Sequence, residues 1–525
     1  MERDNLTAKQ LDYAVFLPAL SGFYATYVGK QRFPNVETGD LYVDPARVPA
    51  DFENGIEGLN WLNPDAAYFP YQWALYSAGH AELDTNKVSP KEDMIRNRDR
   101  SRSFVLGDSG GFQIGKGVWE GDWKNPACPK AQKKRELVLA WMDAYMDYGM
   151  ILDIPAWVCR SPEGRKASGI TSYMEAVEGT YINNDYFMKH RTGACKFLNV
   201  LQGENHAEAE DWYQRMKKYC DPNQYEQPFN GWAMGGQNMC DVHLVLKRLV
   251  ALRFDGLLEE GLHDWMHFLG TSKLEWACLL TDIQRAVRKY HNPKFTISFD
   301  CASPFLASAN GQIYIQTEIV DKEKWVYRMV PRVDDKKYAK DTRRFKDAVI
   351  QDKIFENFTE SPISQRCTIK DICIYAPGDL NKINKEGKTS WDSFSYAIQM
   401  GHNVWSHLTA VQQANREYDL GKFPGMLNSE TADRKTPRNY GVNNFRDIAD
   451  MIFALDNRED ALALIEYYNK YWMGIIGTRG AIGKKTMNSS TTFNDLFATD
   501  DSVEEHHVDD SGLDETRLDE LEQDV

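Results

Sequence analysis

Short apolar runs recur along the first 300 residues, and between them lie stretches whose apolar positions return every three or four residues. The runs fall at 13–18, 66–68, 104–107, 149–153, 196–201, 229–234, 265–269 and 295–299, with helix-like segments at 130–148, 207–219, 242–252 and 273–290 among them. A run of this length flanked by turn residues predicts a buried strand, and the longer period predicts an amphipathic helix. Eight strands alternating with helices predict an α/β fold, a (β/α)8 TIM barrel, because parallel strands need helical crossovers. Beyond Asp300 the pattern changes. Residues 312–351 predict an inserted hairpin followed by a charged helix, 390–420 and 444–473 predict helices, and no internal repeat is present. The expected division is a barrel core over 1–310, a basic insertion over 311–365, a C-terminal helical subdomain completing the barrel over 366–490, and an acidic disordered tail over 491–525.

A chain of 525 residues, 42% apolar, can bury one large core and an appended part. No run approaches the ~20 apolar residues of a membrane span, and 14–18 lacks a basic leader, so a cytoplasmic protein without a membrane partner is expected. The nine cysteines are scattered, which favours reduced, buried thiols over a disulfide framework. Net charge is −15, but residues 500–525 hold twelve acids and one base, Arg517. Removing that −11 leaves −4 for the rest, which can therefore carry basic faces. The tail reads as solvated, with regulation or DNA mimicry as the alternative.

Candidate chemistry falls at the carboxyl ends of the expected strands, where barrel active sites are built. Asp108 opens the turn Asp108-Ser109-Gly110-Gly111-Phe112-Gln113, whose glycines let a flat ligand approach backbone N–H groups beside the carboxylate. Asp153 follows the fourth run, Gln202-Gly203 the fifth, Gly231-Trp232-Ala233-Met234-Gly235-Gly236 marks the sixth, and Asp300 ends the eighth. Asp153 and Gln202 offer the acceptors and donors that match the edge of a guanine-like base. Gly231 is expected to leave room for its ring, and Trp232 or Met234 to cover it. Two carboxylates remain, one for nucleophilic attack at a sugar carbon and one for proton transfer.

In these motifs and their order the chain resembles the tRNA-guanine transglycosylase superfamily. Asp108-Ser-Gly-Gly-Phe-Gln is similar to its most specific signature, Val200-Leu201-Gln202-Gly203 to its Val-Gln-Gly segment, Gly231-Trp-Ala-Met-Gly-Gly to its Gly-Leu-Ala-Ile-Gly-Gly segment, and Phe299-Asp300-Cys301-Ala302-Ser303-Pro304 to its Phe-Asp-Cys-Val-x-Pro segment. The likeness covers roughly residues 13 to 420, with Phe16-Leu17-Pro18 as the opening strand and His267-Phe268-Leu269-Gly270 as the seventh. It implies Asp300 as the nucleophile that holds the nucleoside covalently and Asp108 as general acid/base. It further implies Ser109, Gly110, Gly111, Asp153, Gln202, Gly203 and the Gly231 segment as the base site, in a ping-pong exchange without an organic cofactor.

The departures from the family bear on the polymer. The tRNA enzymes carry an arginine-bearing segment after the nucleophile, whereas Pro304–Gly311 here contains no arginine. This resembles the phage and bacterial branch that places 7-deazaguanines in DNA. The expectation is therefore exchange of guanine in DNA for a preQ0-like base, in the host-cell cytoplasm if the gene is viral, with a homodimer left open. The alternatives are a tRNA-guanine transglycosylase, a non-catalytic binding subunit of such an enzyme, and a barrel glycosidase. Candidate phosphate contacts are Arg332, Lys336, Lys337, Arg343 and Arg344, with Arg96, Arg98, Arg100 and Arg102 as a second basic segment. The family's structural zinc site implies Cys367, Cys373 and His402 as ligands, with one expected ligand missing; Asp371 or another residue would complete the usual four, and plain packing is the alternative. Gly477–Thr486 imitates a phosphate loop with the wrong spacing and no preceding strand; no nucleotide-hydrolysing role is assigned to it, and a basic loop near DNA is the alternative.

Overall fold

The computed structural model describes residues 5–30, 39, 43, 45–87, 92–239, 241–271, 273–320, 324–331, 336–347, 358–373, 376–377, 388–389, 391–422 and 445–477. Eight parallel strands close into a barrel: β1 Val15–Leu20, β2 Trp73–Ser77, β3 Phe104–Asp108, β4 Tyr148–Met150, β5 Lys196–Leu201, β6 Gly231–Met234, β7 Trp265–Phe268 and β8 Thr296–Cys301, with β8 returning to pair with β1. The principal helices are α1 Gly22–Lys30, α2 Pro129–Tyr145, α3 Tyr173–His190, α4 His206–Met216, α5 Val242–Phe254, α6 Leu274–Tyr290, α7 Ser303–Ala309, α8 Ser393–Asp419, α9 Phe445–Ala454 and α10 Arg458–Gly477. Several start at polar caps that satisfy otherwise orphaned N–H groups: Ser172 accepts from Glu175 N, Asn205 from Glu208 N, Asp241 from Leu244 N and Asp392 from Ser395 N.

The second strand lies later than its expected position. Trp73-Ala74-Leu75-Tyr76 are all buried, the signature of a parallel strand covered on both faces, whereas 66–68 forms a turn. There Tyr68 N donates to Gly58 O and the Tyr68 ring packs on Phe52. The hairpin is present as β9 Gln312–Val320 and β10 Lys324–Pro331, but the described residues after it, 336–347, form no charged helix. Lys336–Lys340 and Phe345–Asp347 are single tight turns, and Asp341 between them bonds the backbone and guanidinium of Arg343 instead of continuing a helix. The helix expected over 444–473 is likewise two helices, because Asn457 caps the second by accepting from Asp460 N.

Helix α8 occupies the place of the barrel's eighth helix. It packs against α6, α7 and α1, and its His407 ring stacks on Phe16 of β1 at 4.5 Å. The hairpin segment is thus inserted between α7 and α8, while α9 and α10 add an outer layer over α6 and α5. At the barrel's amino end Trp265 lies 4.5 Å from Phe104 and 5.4 Å from Tyr148, closing that end with an aromatic layer. The carboxyl end carries the acids. Among the described residues no helix is long and apolar enough to cross a membrane.

Candidate active site

Strand register decides which side chains meet. In parallel strands, paired residues share a face, so Ser77 and Asp108 point to the same side, as do Leu17 and Asp300. Ser77 Oγ donates to Asp108 Oδ2 at 2.6 Å. Burial holds the Asp108 carboxyl above its ordinary range, against the Ser77 hydrogen bond, and the negative charge of Asp300 pushes it further up. A carboxyl so placed retains its proton closer to neutrality than a free aspartate, as a general acid needs.

Asp153 lies just beyond β4 and is buried. Gln202 Nε2, at the end of β5, donates to Asp153 Oδ2 at 2.7 Å. Burial pushes the Asp153 carboxyl up to about 7, countered by the Gln202 bond and reinforced by Asp108. The three carboxylates are thus electrostatically linked in the order Asp153, Asp108, Asp300. Gly111 brings the signature turn onto this group: a Cβ there would lie 2.5 Å from the Asp153 carbonyl oxygen. Gly110 adopts φ +75°, a conformation open to glycine at little cost. Ser109, between Asp108 and these glycines, is buried.

Asp300 is held by a chain of donors. His267 Nε2 lies 3.0 Å from Asp300 Oδ1, and Gly270 N donates to the same oxygen at 2.9 Å. Behind them Trp265 Nε1 donates to Ser298 Oγ at 2.8 Å, and Ser298 Oγ lies 2.9 Å from His267 Nδ1. An indole N–H only donates and a carboxylate only accepts, so Ser298 Oγ accepts from Trp265 and His267 Nε2 donates to Asp300; in the neutral imidazole that tautomer leaves Nδ1 to accept the Ser298 proton. One carboxylate oxygen therefore takes two hydrogen bonds, and Oδ2 is left for chemistry.

The structure brings together Asp108, Ser109, Gly110, Gly111, Asp153, Gln202, Gly203 and Asp300, but not the expected β6 residues. Gly231 is the first residue of its strand, paired with Leu198 and Trp265 at the amino end, where a Cβ would overlap the Trp265 carbonyl at 2.2 Å. Trp232 faces the helices, donating to Leu257 O at 2.8 Å and packing on Tyr213, and alternation puts Met234 on the same outer face. The glycine that serves the pocket is Gly235, whose missing side chain leaves space for the Gln202 amide, 2.7 Å from where a Cβ would stand. Sequence reasoning assigned no role to Ser77, His267, Gly270, Ser298 or Asn238. Asn238 Nδ2 ties the ends of β5 and β6 by donating to Gln202 O and Gly235 O. His267 was legible in principle, since alternation along β7 puts it on the same face as Trp265 and level with the inward Ser298.

The basic candidates are largely consumed by ion pairs. Arg343 binds Asp341 and Arg344 binds Asp51, while Lys337 is exposed beside the Tyr338 ring. Arg332 and the Lys336 side chain lie outside the described residues. Arg96 pairs with Glu92, Arg98 and Arg100 with Asp147, and Arg102 with Asp65 and Asp99, on the segment that enters β3 at the barrel's amino end, away from the acids. The zinc donor set does not fit a metal as the side chains stand. Cys367 belongs to the main core, Cys373 to a small cluster with Tyr338 and Ile369, and Asp371 caps its own short helix through Thr368. His402 has Nδ1 on Ser361 Oγ and Nε2 on Tyr314 O, both at 2.8 Å. Among the described residues no group of three or more His, Cys, Asp or Glu side chains is placed to hold a metal. Most of Gly477–Thr486 lies outside the described residues.

No protein-family model matches the sequence, and no curated protein matches it significantly.

Proposed function

We propose that this protein is a guanine transglycosylase that replaces guanine in DNA with a 7-deazaguanine through a covalent Asp300 intermediate. The observation that carries the reading is the linked set Asp153–Asp108–Asp300 at three strand ends of one barrel, with Gln202 on Asp153 and a donor chain on Asp300. Asp300 Oδ2 attacks C1′ as the bond from C1′ to the base nitrogen breaks, and Asp108 supplies the proton that the departing guanine takes. The incoming base then loses its proton to Asp108, its nitrogen attacks C1′, and the ester to Asp300 breaks, so two inversions restore the original configuration. Asp153 and Gln202 accept from and donate to the base edge. Reaching a base within DNA requires taking it out of the stack.

DNA is favoured over tRNA by the segment after the nucleophile. Ser303–Ala309 has no cation and is a helix largely buried against α8 and β9, so it offers no grip on an RNA backbone. Incubation with labelled guanine and either duplex DNA, single-stranded DNA or tRNA tests the reading. Label should enter DNA and not tRNA, and Asp300→Ala should abolish it. Incorporation into tRNA alone, or undiminished exchange by Asp300→Ala, overturns it.

A further inference from the structure

Of the two basic segments singled out by sequence, Arg343 and Arg344 are in ion pairs and Arg96–Arg102 are paired at the far end of the barrel, and a further cationic groove opens beside the site. It has a volume of about 600 Å3 and runs between the β3–α2 loop and the start of α2, lined by Val118, Trp119, Lys130, Lys133, Lys134 and Leu137. The last four recur at helical spacing, so they form one face of α2. Lys133 is exposed, Lys134 Nζ lies 4.6 Å from the Trp119 ring, and Lys130 meets Glu120 at 3.0 Å on the rim. Neither Lys133 nor Lys134 is in an ion pair among the described residues, although Glu82 lies close enough to act on Lys134. Val118, 63% exposed, provides an apolar shelf.

Ion pairing within the fold does not account for Lys133 or Lys134. They stand in the first two turns of α2, where the helix dipole favours negative charge, and no acid occupies that first turn. The groove is also joined to the chemistry: the Trp119 ring packs where a Cβ on Gly110 would be, 2.6 Å away, so its wall is the wall of the Asp108 turn. Ammonium groups beside an apolar shelf suit a polynucleotide strand, phosphates on the lysines and flat base surface on the shelf.

Resting on the transglycosylase reading, we infer that this groove carries the DNA strand flanking the nucleotide whose base is exchanged. The full-length protein is titrated into a fluorescein-labelled single-stranded oligodeoxynucleotide at several salt concentrations, with anisotropy as the readout. The triple variant Lys130→Gln, Lys133→Gln, Lys134→Gln should lose roughly tenfold or more in affinity at low salt, and its log–log salt slope should fall by about 2 for three lost single-strand phosphate contacts. The Lys→Arg triple should bind as the wild type does, which separates charge from folding. Undiminished affinity of the Gln triple, no DNA binding by the wild type, or a loss confined to tRNA overturns the groove. If the wild type exchanges guanine and the Gln triple binds and exchanges equally well, the groove fails and the transglycosylase reading stands. If the Gln triple loses DNA but the wild type exchanges no guanine, the groove stands and that reading fails.

Discussion

Replacing His267 with Phe removes one of two hydrogen bonds on Asp300 Oδ1 while keeping a ring in a fully buried position. A hydrogen bond to a charged group contributes about 1.5–3 kcal/mol. That stabilisation acts on the ionised carboxylate and is lost when Asp300 becomes a neutral ester. His267 therefore favours the free carboxylate over the covalent intermediate, and its loss should slow release from the ester more than attack. The balance should move toward the DNA–protein adduct by roughly 10- to 150-fold, since 1.36 kcal/mol is a factor of ten. Adduct is read on denaturing gels after quenching at steady state. Ser298→Ala, which frees the His267 tautomer, should act in the same direction but more weakly, and His267→Gln, whose amide can still donate, should recover part of the effect. A folded His267→Phe protein with a wild-type adduct level would refute the assignment.

Asp153 links binding to pH with opposite signs for affinity and stability. Its carboxyl, pushed up to about 7 from an ordinary value of 3.8, keeps its proton in the fold, so the stability it contributes is present below about pH 4 and is lost as pH rises through about 7. Asp153→Asn should flatten that loss in melting curves between pH 5 and 9 while removing guanine affinity measured by calorimetry at pH 8; a steeper pH dependence in the variant would contradict the sign. Gly235→Ala should push the Gln202 amide away from Asp153 at a folding cost of about 1 kcal/mol or less, because only a flexible side-chain end is displaced. Guanine affinity should fall by roughly tenfold, and unchanged affinity would remove Gln202 from the base site. Because both His402 nitrogens are engaged within the protein, a strong chelator should leave the melting temperature unchanged, and elemental analysis should find well under one zinc per chain. Stoichiometric zinc with a chelator-sensitive melt would show that Cys367, Cys373 and His402 rearrange around the metal.

The alternation of apolar runs with helical spacing was sufficient for the barrel, because a parallel strand buried on both faces and an amphipathic crossover leave different periods in the chain. Asp108, Asp153, Gln202 and Asp300 were legible for a related reason: each directly follows an apolar run, and in a barrel all strand ends of one sense face one pocket. The second strand was misplaced because two nearby apolar stretches, 66–68 and 73–77, compete, and only pairing with β1 and β3 selects the latter.

Facing and end were what the sequence by itself left open. Gly231 and Trp232 belong to a matching motif, yet register sends one to the amino end and the other outward, while Gly235 takes the place beside Gln202. The donor chain Trp265–Ser298–His267–Asp300 joins two strands at paired positions, and neither strand alone signals it. Charge behaved likewise: arginines dense in sequence were neutralised by acids brought from elsewhere, and three lysines on α2 acquired meaning only when Trp119 placed them beside the Asp108 turn. Periodicity is a local property and survives in the linear chain, whereas the partner of a charge or a hydrogen bond is set by which distant segments the closed barrel brings within about 3 Å.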